Sequence, residues 1–390
     1  MKNKLFLLAF GLLLAGCTTD SGWQPSPDEP RAFVTTLGAD TVSVEVYLRT
    51  ETSIEGVLVE RAPYTHVIDY VATLDGEGVI TELSYTKKTP ASNPTGPAAE
   101  SAHFVLSEGV ATIVREMAAA TDTISVAASQ GTIPTLGRNA SAMFIFEYVA
   151  ARLQGGASEI LLLSANGSEA RPNAAAVVSS DTVSMDYFGA PRKGWTDSKG
   201  QLLGVSGAGT TNKSESKRVE PFLVGQMAER WAAMDVAGTG IGTPSPGATV
   251  AISLDGTHIE VKYSQPAKRG REIWGQLVPE GQVWRTGANA ATHFTTSESL
   301  TFDGQVLPAG TYTLWSIYSN GGLMLVINAQ TNQWGTVYDQ AQDVFRSAMI
   351  HSSRAESSER FEISIEDTPE GGVMHFDWDM DRFSIPFTVN

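Results

Sequence analysis

The sequence predicts a mainly β protein of two domains, a curved antiparallel sheet with one or two helices followed by a β-sandwich, on three observations. Apolar and polar residues alternate in short runs through most of the chain, the pattern of half-buried strands. Only two stretches, 141–153 and 221–234, carry the three-to-four spacing of a packed helix. A Gly/Pro-crowded break at 237–246 (AGTGIGTPSP) then precedes a second alternating series. The expected organisation is a leader at 1–16, a tether at 17–30, a β-rich domain with packed helices over 31–236, a linker at 237–246 and a second domain over 247–390.

The first element is an export signal: Lys2 and Lys4, an apolar run from Leu5 to Leu14, then the small residues Ala15 and Gly16. Ten helical residues rise ~15 Å, half of a hydrocarbon core of ~30 Å, so the run is too short to remain as a membrane span. Leu14-Ala15-Gly16-Cys17 resembles a bacterial lipoprotein lipobox. The resemblance implies cleavage before Cys17, a diacylglycerol thioether on its sulfur and a further acyl chain, such as palmitate, on its amine. Two or three acyl chains anchor firmly where one is marginal. Thr18 stands where aspartate commonly signals inner-membrane retention, which points to the outer membrane, with the body in the periplasm or at the surface. Residues 18–30 (TTDSGWQPSPDEP) lack an apolar period and read as a flexible tether.

Composition narrows the partners. The net charge is −16, and −18 once Lys2 and Lys4 are removed, so a nucleic-acid partner would be repelled. Cys17 is the single cysteine, and its acylation would leave no thiol for disulfides, thiolate metal sites or cysteine catalysis.

In the first domain, residues 41–48 set Val42, Val44, Val46 and Leu48 on one face and Tyr47 with polar groups on the other. Runs at 54–61, 65–74 and 78–86 repeat the alternation, with a glycine-rich hairpin turn at 74–78. Further strands are expected at 111–118, 123–128, 159–164, 182–187 and 201–205. The helix at 141–153 should pack on the sheet, and a second at 221–234 starts with Pro221 at a tolerated first-turn position. A curved sheet around a helix is similar to the half-barrel lipoprotein-carrier folds. That likeness implies either a packed core or a concavity for a lipophilic ligand.

The second domain shows short strands at 250–254, 259–263, 299–302, 311–318, 323–327, 361–366 and 373–378, the pattern of a sandwich. The string from Tyr263 to Pro279 (YSQPAKRGREIWGQLVP) runs into GQVWRTGANAAT at 281–292. Together with LPAGTY at 307–312, NQWG at 332–335 and the terminal IPF at 385–387, it resembles the domain of unknown function 2911 family. The resemblance implies an architecture in secreted or envelope proteins and no established reaction.

Four cations, Lys268, Arg269, Arg271 and Arg285, fall within 18 residues of an otherwise acidic chain, beside Trp274 and Trp284. Guanidinium groups hold carboxylate or phosphate bidentately and stack on indoles. The same residues can pin a loop to carbonyls or carboxylates, and Asn289 can bond turn amides. These seven residues are the candidate ligand contacts.

Catalytic motifs fail on inspection. Asp377-Trp378-Asp379-Met380-Asp381 opens like a calcium loop, but Arg382 and Thr388 replace the required glycine and glutamate. His375, Asp377, Asp379 and Asp381 are expected to form a solvated polar stripe. Gly204–Ala208 misses the nucleophile elbow at its last position, and no histidine pair has metal-ligand spacing. No catalytic residue, metal or cofactor is assigned. The expectation is an envelope protein acting by binding, its partner a glycan, an acidic small molecule or another envelope protein. A hydrolase centred on Arg285, Asn289 and His293, or a lipophilic-ligand carrier, is the alternative.

Overall fold

The computed structural model describes residues 29–137, 142–157, 159–210 and 212–390. The leader, Cys17 and nearly all of the tether lie outside the described residues. The chain is mainly β, with two helices, α1 (Met143–Gln154) and α2 (Val224–Val236).

Thirteen antiparallel strands form the first sheet. Eight run as a meander from the amino end: Arg31–Leu37, Asp40–Arg49, Ser53–Glu60, His66–Leu74, Ile80–Lys88, Glu100–Ser107, Val110–Met117 and Ala120–Ala127. Five more form a second meander: Ala175–Ser179, Thr182–Tyr187, Ala190–Thr196, Leu202–Ser206 and Glu215–Val219. The two join where Arg31–Leu37 pairs with Glu215–Val219, Val34 opposite Lys217.

The stretch between the meanders supplies α1 and a small three-stranded sheet. Nine of the twelve residues of α1 are buried, far more than one amphipathic stripe would bury, so the helix is enclosed rather than laid on a surface. Side chains from both meanders, among them Phe104, Ile113, Met185 and Leu202, share its core. Phe144 stacks on Tyr70 at 4.5 Å and Phe146 on Tyr187 at 5.4 Å. The concavity of the sheet is therefore filled by protein.

The orientation of strand Asp40–Arg49 differs from what its pattern suggests. Its polar face, Glu45, Tyr47 and Arg49, points into the large core, and Val44 and Val46 lie outside beneath α2 with Val59, Ala228 and Trp231. Both faces of the strand are covered, so alternation marked the strand without telling which face met the main core. The helix itself begins at Val224, not at Pro221, since Leu223 is the extended residue that precedes it.

In the second half, a seven-stranded sheet runs Gly247–Leu254, Thr257–Ser264, Thr292–Thr296, Gly310–Ser319, Gly322–Asn328 and Asp343–Ala348, with Val283–Trp284 also paired to Gly310–Ser319. A four-stranded sheet runs Gln305–Leu307, Leu300–Phe302, Gly371–Val389 and Ile350–Thr368. Phe294 and Leu325 from the first share one core with Phe302, Phe376, Trp378 and Phe387 from the second, the packing of a sandwich.

Strand Gly371–Val389 bulges at Asp379, whose φ is +55° and where its register against Ile350–Thr368 shifts. Arg382 thereby donates to Asp377 at 2.7 Å, and Arg354 donates to the same carboxylate. Asp377 is 4% exposed and His375 8%. The expected solvated stripe is instead a set of paired groups, buried at His375 and Asp377 and half-buried at Asp379 and Asp381, because the bulge brings Arg382 against Asp377 while Lys268 and His351 pair with the other two.

Candidate functional site

The cleft between the two lobes has a volume of about 840 Å³. Its floor comes from the sandwich loops at 266–289 and from 335–338, and its rim from residues 208–210, Asn212 and Lys213 of the first lobe and 243–245 of the linker. Such a volume lies within the ~300–1,000 Å³ of small-molecule sites.

Turn chemistry shapes the walls. Arg269, Thr286 and Asn289 all have left-handed backbones, with φ of 50°, 50° and 60°, a conformation uncommon outside glycine and concentrated in constrained sites. The Asn289 carbonyl accepts from Arg285 Nη1 at 3.1 Å and from the Gly335 amide at 3.0 Å. Gly335 is required there: a Cβ would overlap Arg285 Cδ and the Asn289 carbonyl oxygen. The Asn289 side-chain amide donates to the Ser245 carbonyl and to Ser264 Oγ, each at 3.3 Å, and so ties the linker to the floor.

Five of the seven residues singled out from sequence line the cleft: Arg269, Arg271, Trp284, Arg285 and Asn289. Lys268 and Trp274 do not. Lys268 Nζ lies 2.5 Å from Asp379 Oδ1 in an ion pair, and Trp274 is packed against Trp284, Trp378, Tyr318 and Phe383. Trp284 is half-buried and stacks on the buried Trp378 at 5.7 Å, which fixes its ring.

The first lobe adds a contributor that sequence reasoning missed. Lys213 lines the cleft and donates to the Gln276 carbonyl at 3.1 Å. It lies in an unremarkable Thr-Asn-Lys-Ser run, and only the fold brings it to the sandwich.

Charge gives the cleft its character. None of its lining residues is acidic, although the chain has 43 acidic residues against 27 Lys and Arg. Arg269 is neutralised by Asp40 of the first lobe, and the Ala39 amide donates to the Arg269 carbonyl at 2.8 Å. Among the described residues, Arg271, Arg285 and Lys213 have no carboxylate within ion-pair distance. Arg271 donates to the Ala267 and Lys268 carbonyls at 2.6 and 3.0 Å, and the one bond of the Arg285 guanidinium is to Asn289. Burial depresses the pKa of all three; Arg269 lowers that of Arg271 further, against the pull of Glu359 and Asp40, and Arg271 lowers that of Lys213. Cations held at this cost with no carboxylate in ion-pair contact favour an incoming anion.

Catalytic convergence is not built in the cleft. His293 faces elsewhere: Nδ1 donates to the Ala291 carbonyl at 2.9 Å, and Nε2 accepts from the Asn332 amide at 3.0 Å. A second polar trio occurs on the four-stranded sheet, where His375 bridges Ser384 at 2.8 Å and Glu366 at 3.2 Å. None of the three lines the cleft, and His375 is buried.

No group of three or more histidine, cysteine, aspartate or glutamate residues among the described residues could hold a metal ion, and no described helix is long and apolar enough to cross a membrane. No curated protein and no solved structure matches the chain. Residues 245–387, which span the sandwich, match the family described as protein of unknown function (DUF2911).

Proposed function

We propose that the chain is a lipid-anchored cell-envelope protein that binds an anionic small molecule in the cleft between its lobes. The observation that carries this reading is the set of Arg271, Arg285 and Lys213 around a cleft with no acidic lining residue. Guanidinium groups suit carboxylate and phosphate, and Trp284 offers a ring already held in place. The anchor is Cys17, acylated behind the signal at 1–16 and followed by a tether to residue 30. It sets the protein at the outer membrane, and a carrier role is disfavoured because α1 fills the concavity where a lipophilic ligand would sit.

Fluorescence titration of the full-length protein in detergent with small carboxylates and phosphates tests the cleft, with Trp284 as reporter. Saturable quenching is expected, weakened at least ten-fold in Arg285→Gln with the melting temperature unchanged. An absence of response to every anion would sink the reading. Mass spectrometry of the protein from its host tests the anchor, and an unacylated Cys17 would overturn it.

A further inference from the structure

Arg285 differs from the other cations of the cleft in how its guanidinium is used. Arg269 is paired with Asp40, the Lys213 ammonium donates to the Gln276 carbonyl, and the Nε–Nη2 edge of Arg271 is taken by the Lys268 and Ala267 carbonyls. Arg285 bonds through Nη1, to the Asn289 carbonyl. Among the described residues its Nε and Nη2 have no partner, although the residue is only 9% exposed. That edge is a two-donor fork, the geometry that takes both oxygens of one carboxylate.

Strand register shows what surrounds the fork. Trp284 stands opposite Ser316, and Thr286 Oγ1 lies 2.6 Å from Ser316 Oγ, so both are on the Ser316 side of the sheet. Arg285, between them, turns to the other side, where Val283, opposite Ile317, packs on the buried Trp315 with Tyr338. Gly335, three residues before Tyr338, is so close that a Cβ on it would overlap Arg285 Cδ, which brings the loop carrying that ring to the guanidinium.

Val283, Trp315 and Tyr338 all line the cleft, and the polar atoms of the two rings are turned to the protein. The Tyr338 hydroxyl donates to Asp343 at 2.7 Å and accepts from Arg346 at 3.1 Å, and Trp315 Nε1 donates to Thr313 Oγ1 at 3.0 Å. Gln282, Asn289 and Thr336, polar lining residues of the same segments, are exposed, whereas Val283 and Tyr338 are half-buried. The side chains beside the fork are therefore apolar where buried and polar where exposed.

Resting on the anion-binding reading, we propose that the cleft takes an amphiphilic monocarboxylate, its acid on the Nε–Nη2 edge of Arg285 and its apolar body against Val283 and Tyr338. A hydroxylated body would lose water there without gaining partners, and a phosphate dianion would bring a second charge to a single fork.

Calorimetric titration of the full-length protein in detergent, with a detergent-only blank, tests this against acetate, phenylacetate, D-galacturonate and inorganic phosphate. Phenylacetate is expected to bind at least ten-fold more tightly than acetate or galacturonate. Val283→Thr and Tyr338→Leu, each checked for an unchanged melting temperature, should cut the phenylacetate-to-acetate ratio at least three-fold, and Arg285→Gln should abolish binding of both acids. Phenylacetate no tighter than acetate or galacturonate, or a ratio that survives both wall variants, would overturn the apolar body. Binding of phosphate without any carboxylate would overturn the monocarboxylate while the anion site stands. No binding of any of the four would remove both.

Discussion

Glu45 accepts the Tyr70 hydroxyl at 2.5 Å inside the closed core of the first lobe, and its other oxygen accepts the Met143 amide at the start of α1. One carboxyl from the second strand thereby holds the amino end of the enclosed helix. The far side of the same helix is held by Glu147, which accepts the Leu202 amide at 3.0 Å and pairs with Arg31 at 3.3 Å. Burial of Glu45, opposed by the Tyr70 and Met143 hydrogen bonds, moves its pKa from 4.5 up to about 8.

The folded protein therefore keeps a proton on Glu45 across a range where the unfolded chain has lost it. Stability from this group is complete below pH 4.5 and declines as pH rises toward about 8. Glu147, whose pKa is also raised by burial against the pull of Arg31, adds a slope of the same sign. Denaturant midpoints measured from pH 5 to 8.5 should fall with pH in the parent and fall less in Glu45→Gln. Glu45→Ala should lose ~1–3 kcal/mol at every pH by leaving the Tyr70 hydroxyl and the Met143 amide unpaired.

Gly335→Ala tests the floor of the cleft. The new methyl would collide with Arg285 Cδ and the Asn289 carbonyl. The expected cost is ~1–3 kcal/mol of overpacking, read by chemical denaturation, together with a weakened anion response at temperatures where the variant is folded. A response of parental strength would show that Arg285 is not needed where it sits.

The contact between lobes is tested by contrast. Asp40 is 39% exposed on its side chain, so Asp40→Ala should cost only ~0–1 kcal/mol, screened by solvent, with the Ala39 amide still on Arg269. Gly38→Ala should loosen the lobes more, because Gly38 has φ of +62° and its Cβ would overlap the Arg269 carbonyl. Amide hydrogen exchange over 267–271 and 237–246 should rise in that order.

The trio on the four-stranded sheet predicts a negative. A fluorophosphonate probe should not label Ser384, whose partner His375 is buried and outside the cleft. Stoichiometric labelling, abolished in His375→Ala, would restore the hydrolase alternative.

Sequence reading went furthest where periodicity is local. Many strands of both lobes and the helix around 143–154 were visible because alternation and three-to-four spacing are properties of neighbouring residues, whereas strands such as Glu100–Ser107, Ala190–Thr196 and Asp343–Ala348 were not assigned. Strand Arg31–Leu37, paired with Glu215–Val219, was not visible, since its partner lies some 180 positions away. In the cleft the cation-rich string disclosed Arg269, Arg271 and Arg285, but residue type could not separate Lys268, paired to Asp379, from its neighbours. Lys213 and Trp378 reach the same space from distant segments, information that only tertiary structure holds.

Because Arg31–Leu37 bonds on one side to Asp40–Arg49 and on the other to Glu215–Val219, the seam of the large sheet joins the lobe's beginning to its end. A chain emerging amino end first leaves that strand's outer edge bare until nearly the whole lobe has been delivered. Closure of so distant a pair is intrinsically slow. The layout thus holds back completion of the lobe until its final strand has been delivered.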